Sequence, residues 1–201
     1  MSEPVFLSGD SVDLRPIEED DLEFLQREIN DPRVWRAIGG SRPVNGPQGR
    51  EFFENVVCDD DTVNLLIIAE STPVGTSSFN TIEWEPRQAE IGYWVAPEHH
   101  GQGYGTDAAT CLVTYGFDQL GLHKITARVF EFNEPSRRLL ESVGFTREGV
   151  HRDDVFVDGA FQDTYWYGLL EIEEQTVEKI RGMYERSEHK RQVPPAPEPL
   201  D

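Results

Sequence analysis

The sequence predicts one mixed α/β domain whose sheet is mostly antiparallel. Three observations carry that prediction. Strand-like runs at Val63 to Glu70, Val74 to Ile82 and Ala89 to Val95 are separated by connections short enough for hairpins, Ser71-Thr72-Pro73 and Glu85-Pro86-Arg87. A helix, a strand and a second helix follow, at Thr106 to Leu120, Lys124 to Phe130 and Ser136 to Val143. A last hairpin then turns at Asp158-Gly159, a pair suited to the positive φ angles of a tight turn. Strands first, then alternating strands and helices, fit one sheet with helices packed on it.

The remaining elements are read from the N-terminus. Residues 5 to 15 (VFLSGDSVDLR) carry short alternation and predict one opening strand, broken by Pro16. Asp20 or Asp21 can cap a helix through Leu22, Phe24, Leu25 and Ile29, which ends at Asp31-Pro32 because the residue before proline disfavours helical geometry. Residues 36 to 49 (RAIGGSRPVNGPQG) are rich in Gly, Pro and Asn and predict a loop, with a short helix over Glu51 to Val57 after it. The long helix places Ala109, Leu112, Val113 and Phe117 on one face and stops at Gly121. Leu170 to Arg186 predicts a terminal helix, so the domain is read as residues 1 to 186. A disordered proline-rich tail, residues 187 to 201, follows it.

Composition narrows the function. A chain of 201 residues, 37% of them hydrophobic, can bury a sizeable core. No run approaches the roughly 20 apolar residues of a membrane span, and the N-terminus lacks the pattern of a signal peptide. Cys58 and Cys111 fit neither a disulfide framework nor metal-ligand spacing, so a reducing, cytoplasmic location is expected. The five histidines show no ligand spacing either, and no metal is expected. Asp plus Glu number 38 against 18 Lys plus Arg, a formal net charge of −20, and this field repels nucleic acid and anionic membranes. The charge suits either a cationic substrate or a surface adapted to very high salt. Three lysines among the 18 basic residues, with acids spread along the whole chain, favour salt adaptation.

The most informative stretch is EIGYWVAPEHHGQGYGTDAA, residues 90 to 109: a strand, then Gly101-Gln102-Gly103-Tyr104-Gly105-Thr106, then a helix. Glycines let the backbone approach a ligand closely and turn several N–H groups into one concavity. The helix N-terminus adds partial positive charge, so the loop predicts a phosphate or pyrophosphate seat. A dinucleotide fold fits poorly, because the spacing is Gly-x-Gly-x-Gly and the loop follows antiparallel strands. A phosphate-loop NTPase fails, because no Gly-Lys-Ser/Thr follows.

With these motifs in order, the chain resembles the GNAT superfamily of acyl-CoA-dependent N-acyltransferases, and within it the RimJ/RimL-type N-terminal acetyltransferases. The resemblance is carried by VDLRPIEEDDLEFL, by the glycine-rich stretch, by ITARVFEFNEPSRRLLESVGFTREG and by DVFVDGAFQDTYWYGLL, and it spans roughly residues 5 to 170. It implies a GNAT-like sheet whose fourth and fifth strands, at 89 to 95 and 124 to 130, splay apart. The pantetheine arm of acetyl-CoA would lie in the gap along Tyr93, Trp94 and Val95. The pyrophosphate would meet Gly101, Gln102, Gly103, Tyr104, Gly105 and Thr106, and Asn133 would bond the pantetheine. Ser136 would sit near the thioester sulfur and stabilise the departing thiolate. The acceptor implied is a primary amine, foremost the α-amino group of a protein N-terminus, with an amino acid, polyamine or aminoglycoside as alternatives. A CoA-binding module without catalysis is the rival from another class, and a homodimer is common in this branch. Two departures stand out: His100 replaces the Gln or Arg that opens the family's loop, and Leu140 replaces a tyrosine that many relatives use as general acid.

An amine with a pKa of ~8 to ~10.4 is mostly protonated at neutral pH, so a base must act before attack on the thioester. Glu90 is the first candidate, acting through a water, and His151, Asp153 and Asp154 come second. The oxyanion formed on attack needs a fixed N–H donor, which a strand amide near Tyr93 or Val95 can supply. Ser136 also stands where a helix N-cap would fall, after Asn133 and Pro135. Trp84, Trp94, Trp166, Tyr165 and Tyr167 are expected in the core or sheet surface, or in the acceptor pocket.

Overall fold

A computed structural model describes residues 4–171, so most of the predicted terminal helix and all of the tail lie outside the described residues. Eight strands form one sheet: β1 (Leu7–Ser8), β2 (Asp13–Pro16), β3 (Val63–Ala69), β4 (Thr72–Glu83), β5 (Gln88–Val95), β6 (Lys124–Phe130), β7 (Thr146–Val157) and β8 (Ala160–Leu170). Their spatial order is β1-β2-β3-β4-β5-β6-β8-β7. Every neighbouring pair is antiparallel except β5 and β6. Among the described residues five α-helices accompany the sheet: α1 (Leu22–Ile29), α2 (Pro32–Ala37), α3 (Gly46–Phe52), α4 (Tyr104–Asp118) and α5 (Glu134–Val143). A parallel neighbour needs a long crossover, and α4 provides it between β5 and β6.

The opening segment corrects the single strand predicted for residues 5 to 15. It is a hairpin, β1 to β2, which renumbers the fourth and fifth predicted strands as β5 and β6. The cause lies about a hundred residues away. The Asp107 carboxylate, in the first turn of α4, accepts the backbone N–H groups of Asp10 (3.0 Å), Ser11 (2.6 Å) and Val12 (3.1 Å), and the Ser11 hydroxyl at 2.9 Å. One side chain thereby satisfies three amides that a strand would have paired elsewhere.

Local capping explains the other differences. Asp31 does end α1, but it also caps α2, accepting the Arg33 amide at 2.7 Å with Pro32 in the first turn. Arg33's side-chain and backbone hydrogen bonds hold that carboxyl down at about 2. The predicted loop at 36 to 49 is shortened at both ends. Asn45 and Gln48 form a reciprocal capping box that starts α3 at Gly46, five residues before the predicted helix, and a π-helical turn, Phe53–Val57, completes it. The last hairpin turns where predicted, with Asp158 and Gly159 both at positive φ.

The core lies between the sheet and the α4–α5 pair. Leu14, Ile67, Phe79, Ile91, Leu112, Val113, Ile125, Leu140 and Leu169 are buried in one cluster, against which Tyr93 and Val95 pack. Side chains alternate along a strand, so Trp94 projects from the opposite face, where it stacks on Phe24 of α1 with centroids 5.9 Å apart. Helices therefore flank both faces near the C-terminal end of β5. Asp107→Ala is expected to lower unfolding stability by about 1–3 kcal/mol, since it strands backbone donors of the hairpin; chemical denaturation checks this, and an unchanged midpoint would show the hairpin to be held by other contacts.

Candidate active site

The parallel β5–β6 ladder is brief: Gln88↔Lys124, Ala89↔Ile125 and Glu90↔Thr126, and no further. Both strands run on, β5 to Val95 along β4 and β6 to Phe130 along β8, without pairing with each other. A cleft of about 990 Å³ opens at this divergence. Of the residues predicted to bind cofactor, Tyr93, Trp94, Val95, Gly101, Gly103, Tyr104, Gly105, Thr106 and Asn133 line it, and so do Glu90 and Ser136. Gln102 stands exposed at the crest of the turn, outside the lining.

The glycine-rich turn has the backbone that its sequence predicts. Gly101 (φ +78°) and Gly103 (φ +86°) occupy the left-handed region, which costs an L-residue about 1–2 kcal/mol. Among the described residues, no atom beyond the adjoining ones lies within 4 Å of where a Cβ would stand at either, so the turn presents bare backbone. Gly103 caps α4, whose 15 residues direct their N-terminal amides at the turn. His100, the substitution noted in the sequence, donates from Nε2 to the Val95 carbonyl at 2.7 Å and closes the turn onto the end of β5. The chain thus holds a cradle fit for a diphosphate at one end of the cleft.

Two sets of side chains enter the cleft from opposite faces of the sheet. From the α5 side, Asn133 rather than Ser136 caps the helix, accepting the Ser136 amide at 3.3 Å. The Ser136 hydroxyl is left for another contact, and the Tyr93 phenol lies 2.9 Å from it. Leu140 is buried in the core. From the other face comes Glu90, in alternation with buried Ala89 and Ile91. Arg128 of β6 holds it through Nε, 3.0 Å from each carboxylate oxygen. Asp154 also reaches the cleft, because β7 slips register between His151 and Val155 and Asp153 takes a positive φ of 51°. Bulges of this kind re-aim side chains beside active sites. His151 and Asp153 do not line the cleft; the His151 ring packs on Trp166 with centroids 5.0 Å apart.

Arg128, Asn80 and Thr164 were not singled out in the sequence, and each lines the cleft. Thr164 is 1% exposed, and its hydroxyl finds no hydrogen-bond partner among the described residues. A buried polar atom without a protein partner, facing a cleft, leaves a hydrogen bond open to water or to a ligand atom. Arg128 could have been suspected from its place in β6, where exposed Arg alternates with buried Ala127 and Val129. Of Trp84, Trp94, Trp166, Tyr165 and Tyr167, Trp94 alone lines the cleft: Tyr167 is in the core, while Trp84 donates to Asp61 at 2.7 Å on the surface.

Comparison with known proteins accords with this geometry. Residues 11–146 match the family described as the Acetyltransferase (GNAT) domain. An N-acetyltransferase of Bacillus licheniformis called p20, otherwise uncharacterized, is 33% identical over 165 residues, covering 80% of this chain and 93% of its own. YdaF of Bacillus subtilis, provisionally named a ribosomal N-acetyltransferase, is 36% identical over 172 residues, covering 82% and 94%. Among solved structures, the spermidine N-acetyltransferase of Vibrio cholerae in complex with CoA and spermine superposes with a TM-score of 0.75 at 25% identity, covering 80% of this chain and 96% of that one. The chain belongs to the GNAT family of N-acetyltransferases. It is an acyltransferase that uses acetyl-CoA. Gly103→Ala, which forces an alanine to a φ of +86°, is expected to lower unfolding stability by about 1–2 kcal/mol and to weaken CoA binding by the folded protein about tenfold; a CoA titration by equilibrium dialysis below the melting transition measures it, and an unaltered affinity would place the diphosphate elsewhere.

Proposed function

We propose that the enzyme acetylates the α-amino group of a polypeptide N-terminus by direct attack on acetyl-CoA. The observation that carries this reading is the charge of the acceptor face. Among the described residues two carboxylates line the cleft, Glu90 and Asp154; Glu90 is paired with Arg128, and Arg33 of the same lining is paired with Asp31. A polyamine carries several positive charges and calls for a surplus of carboxylates. A polypeptide end brings one amine followed by peptide groups. The orphaned Thr164 hydroxyl suits the first of those peptide groups. The name given to YdaF supports the same reading, and that of the Vibrio cholerae enzyme supports the polyamine alternative.

Bound acetyl-CoA supplies the thioester. The residues around it have distinct tasks. Gly101 to Thr106 hold the diphosphate with backbone N–H groups, Asn133 meets the pantetheine arm, and unpaired amides of β5 near Tyr93 or Val95 stabilise the oxyanion. Glu90 accepts the amine proton through a water, using the lone pairs that Arg128 leaves open. Ser136 donates to the sulfur. An amine bound on the Glu90 face and a sulfur on the Ser136 face then meet across the gap between β5 and β6.

Thiol release with a panel of acceptors tests this. A peptide with a free N-terminus is expected to exceed both its N-blocked form and spermidine by at least about tenfold in kcat/KM, a difference of about 1.4 kcal/mol. Faster turnover of spermidine would overturn the acceptor assignment. With the best peptide, Glu90→Gln is expected to reduce kcat by roughly 10²- to 10⁴-fold. Full activity in that variant, with the loss appearing in Asp154→Asn instead, would move the base to β7.

A further inference from the structure

At the Ser136 end of the cleft the Tyr93 phenol makes a side-chain contact that the binding of cofactor by the β5 backbone does not account for. The phenol has one hydrogen to give and two acceptors within reach: Oγ of Ser136 at 2.9 Å and the Ser136 carbonyl at 3.4 Å. The nearer oxygen has the better geometry. The direction of this bond decides what Ser136 can do. If the serine donated to the phenol, its single hydrogen would be spent inside the protein. If the phenol donates to the serine, the serine's hydrogen is free to point into the cleft.

Of the two hydroxyls the phenol is the stronger donor and the weaker acceptor, because its oxygen lone pairs are drawn into the ring, and only Oγ of Ser136 lies at ordinary O–H···O distance from it. The Tyr93 ring packs against the core beneath α5, and this enclosure pushes its ionisation far above the ordinary phenol range. The phenol therefore keeps its hydrogen at neutral pH. The Ser136 amide is already taken by Asn133 and its hydroxyl caps no helix, so the side chain is free to accept.

We propose that Tyr93 is a positioning residue: by donating to Oγ of Ser136, its phenol makes the serine hydroxyl a donor aimed at the sulfur of bound CoA. This rests on the assignment of Ser136 to the sulfur end of the cleft. In the reaction the N–C bond forms, the C–S bond breaks and its electron pair goes to sulfur. Ser136 donates a hydrogen bond to that sulfur, and the amine proton leaves by way of Glu90. Tyr93 keeps its own proton throughout.

The test needs no acceptor, so a wrong acceptor assignment leaves it intact. CoA is bound to the wild type and to Tyr93→Phe, Ser136→Ala and the double variant, and its thiol is titrated by ultraviolet thiolate absorbance. The wild type is expected to hold the bound thiol about one unit below free CoA. Tyr93→Phe and Ser136→Ala should each return it toward the free value, and the double variant should go no further than Ser136→Ala. The phenylalanine keeps the ring and hence the packing, so thermal unfolding should stay close to wild type. A Tyr93→Phe protein that titrates like wild type, an additive shift in the double variant, or a wild type indistinguishable from free CoA would each overturn the proposal. So would loss of CoA binding in Tyr93→Phe, which would make Tyr93 part of the cofactor seat instead.

Discussion

The site depends on a parallel ladder that stops after three residue pairs. Beyond Glu90↔Thr126, β5 and β6 continue side by side in the sheet order without bonding to each other. Main-chain groups on those inner edges need partners, and a bound molecule lying along β5 can supply them. The interruption also opens a passage through a sheet that would otherwise wall one helical layer from the other. Cofactor and acceptor can then approach from opposite faces and meet in the middle.

Each face receives its side chains through the two-residue period of β5. Glu90 and Trp94 go one way, toward α1 and the proposed acceptor side; Tyr93 and Val95 go the other, toward α5 and the core. In the proposed mechanism a single strand therefore supplies a carboxylate to one reactant and a phenol beside the other. Where many relatives place a tyrosine on the helix, Leu140 here fills the core, and the phenol in the cleft comes from the strand.

The parts of this arrangement that were legible in the sequence depend on near neighbours in the chain. The glycine turn is read from three glycines and the helix after them, and the last hairpin from Asp158-Gly159. Parts set by distant residues were not legible. The opening strand folds into a hairpin because Asp107 captures three of its amides from about a hundred positions away. Glu90 was singled out, but its partner Arg128 lies 38 residues downstream and only the register of β5 with β6 brings them together. The segment at 36 to 49 was misjudged for another reason. Gly, Asn and Pro are turn formers in general, yet here Asn45, Gly46 and Pro47 fill the cap and first turn that begin α3. The same residues serve either end of that choice.

The direct measurement of the central claim is calorimetric titration with CoA and with pantetheine, which shares the thiol arm but lacks the diphosphate. If the amides from Gly101 to Thr106 grip the diphosphate, CoA binds with clear heat and pantetheine binds weaker by a hundredfold or more, about 2.7 kcal/mol. Equal affinities for the two, or no heat with CoA on folded protein, would contradict it.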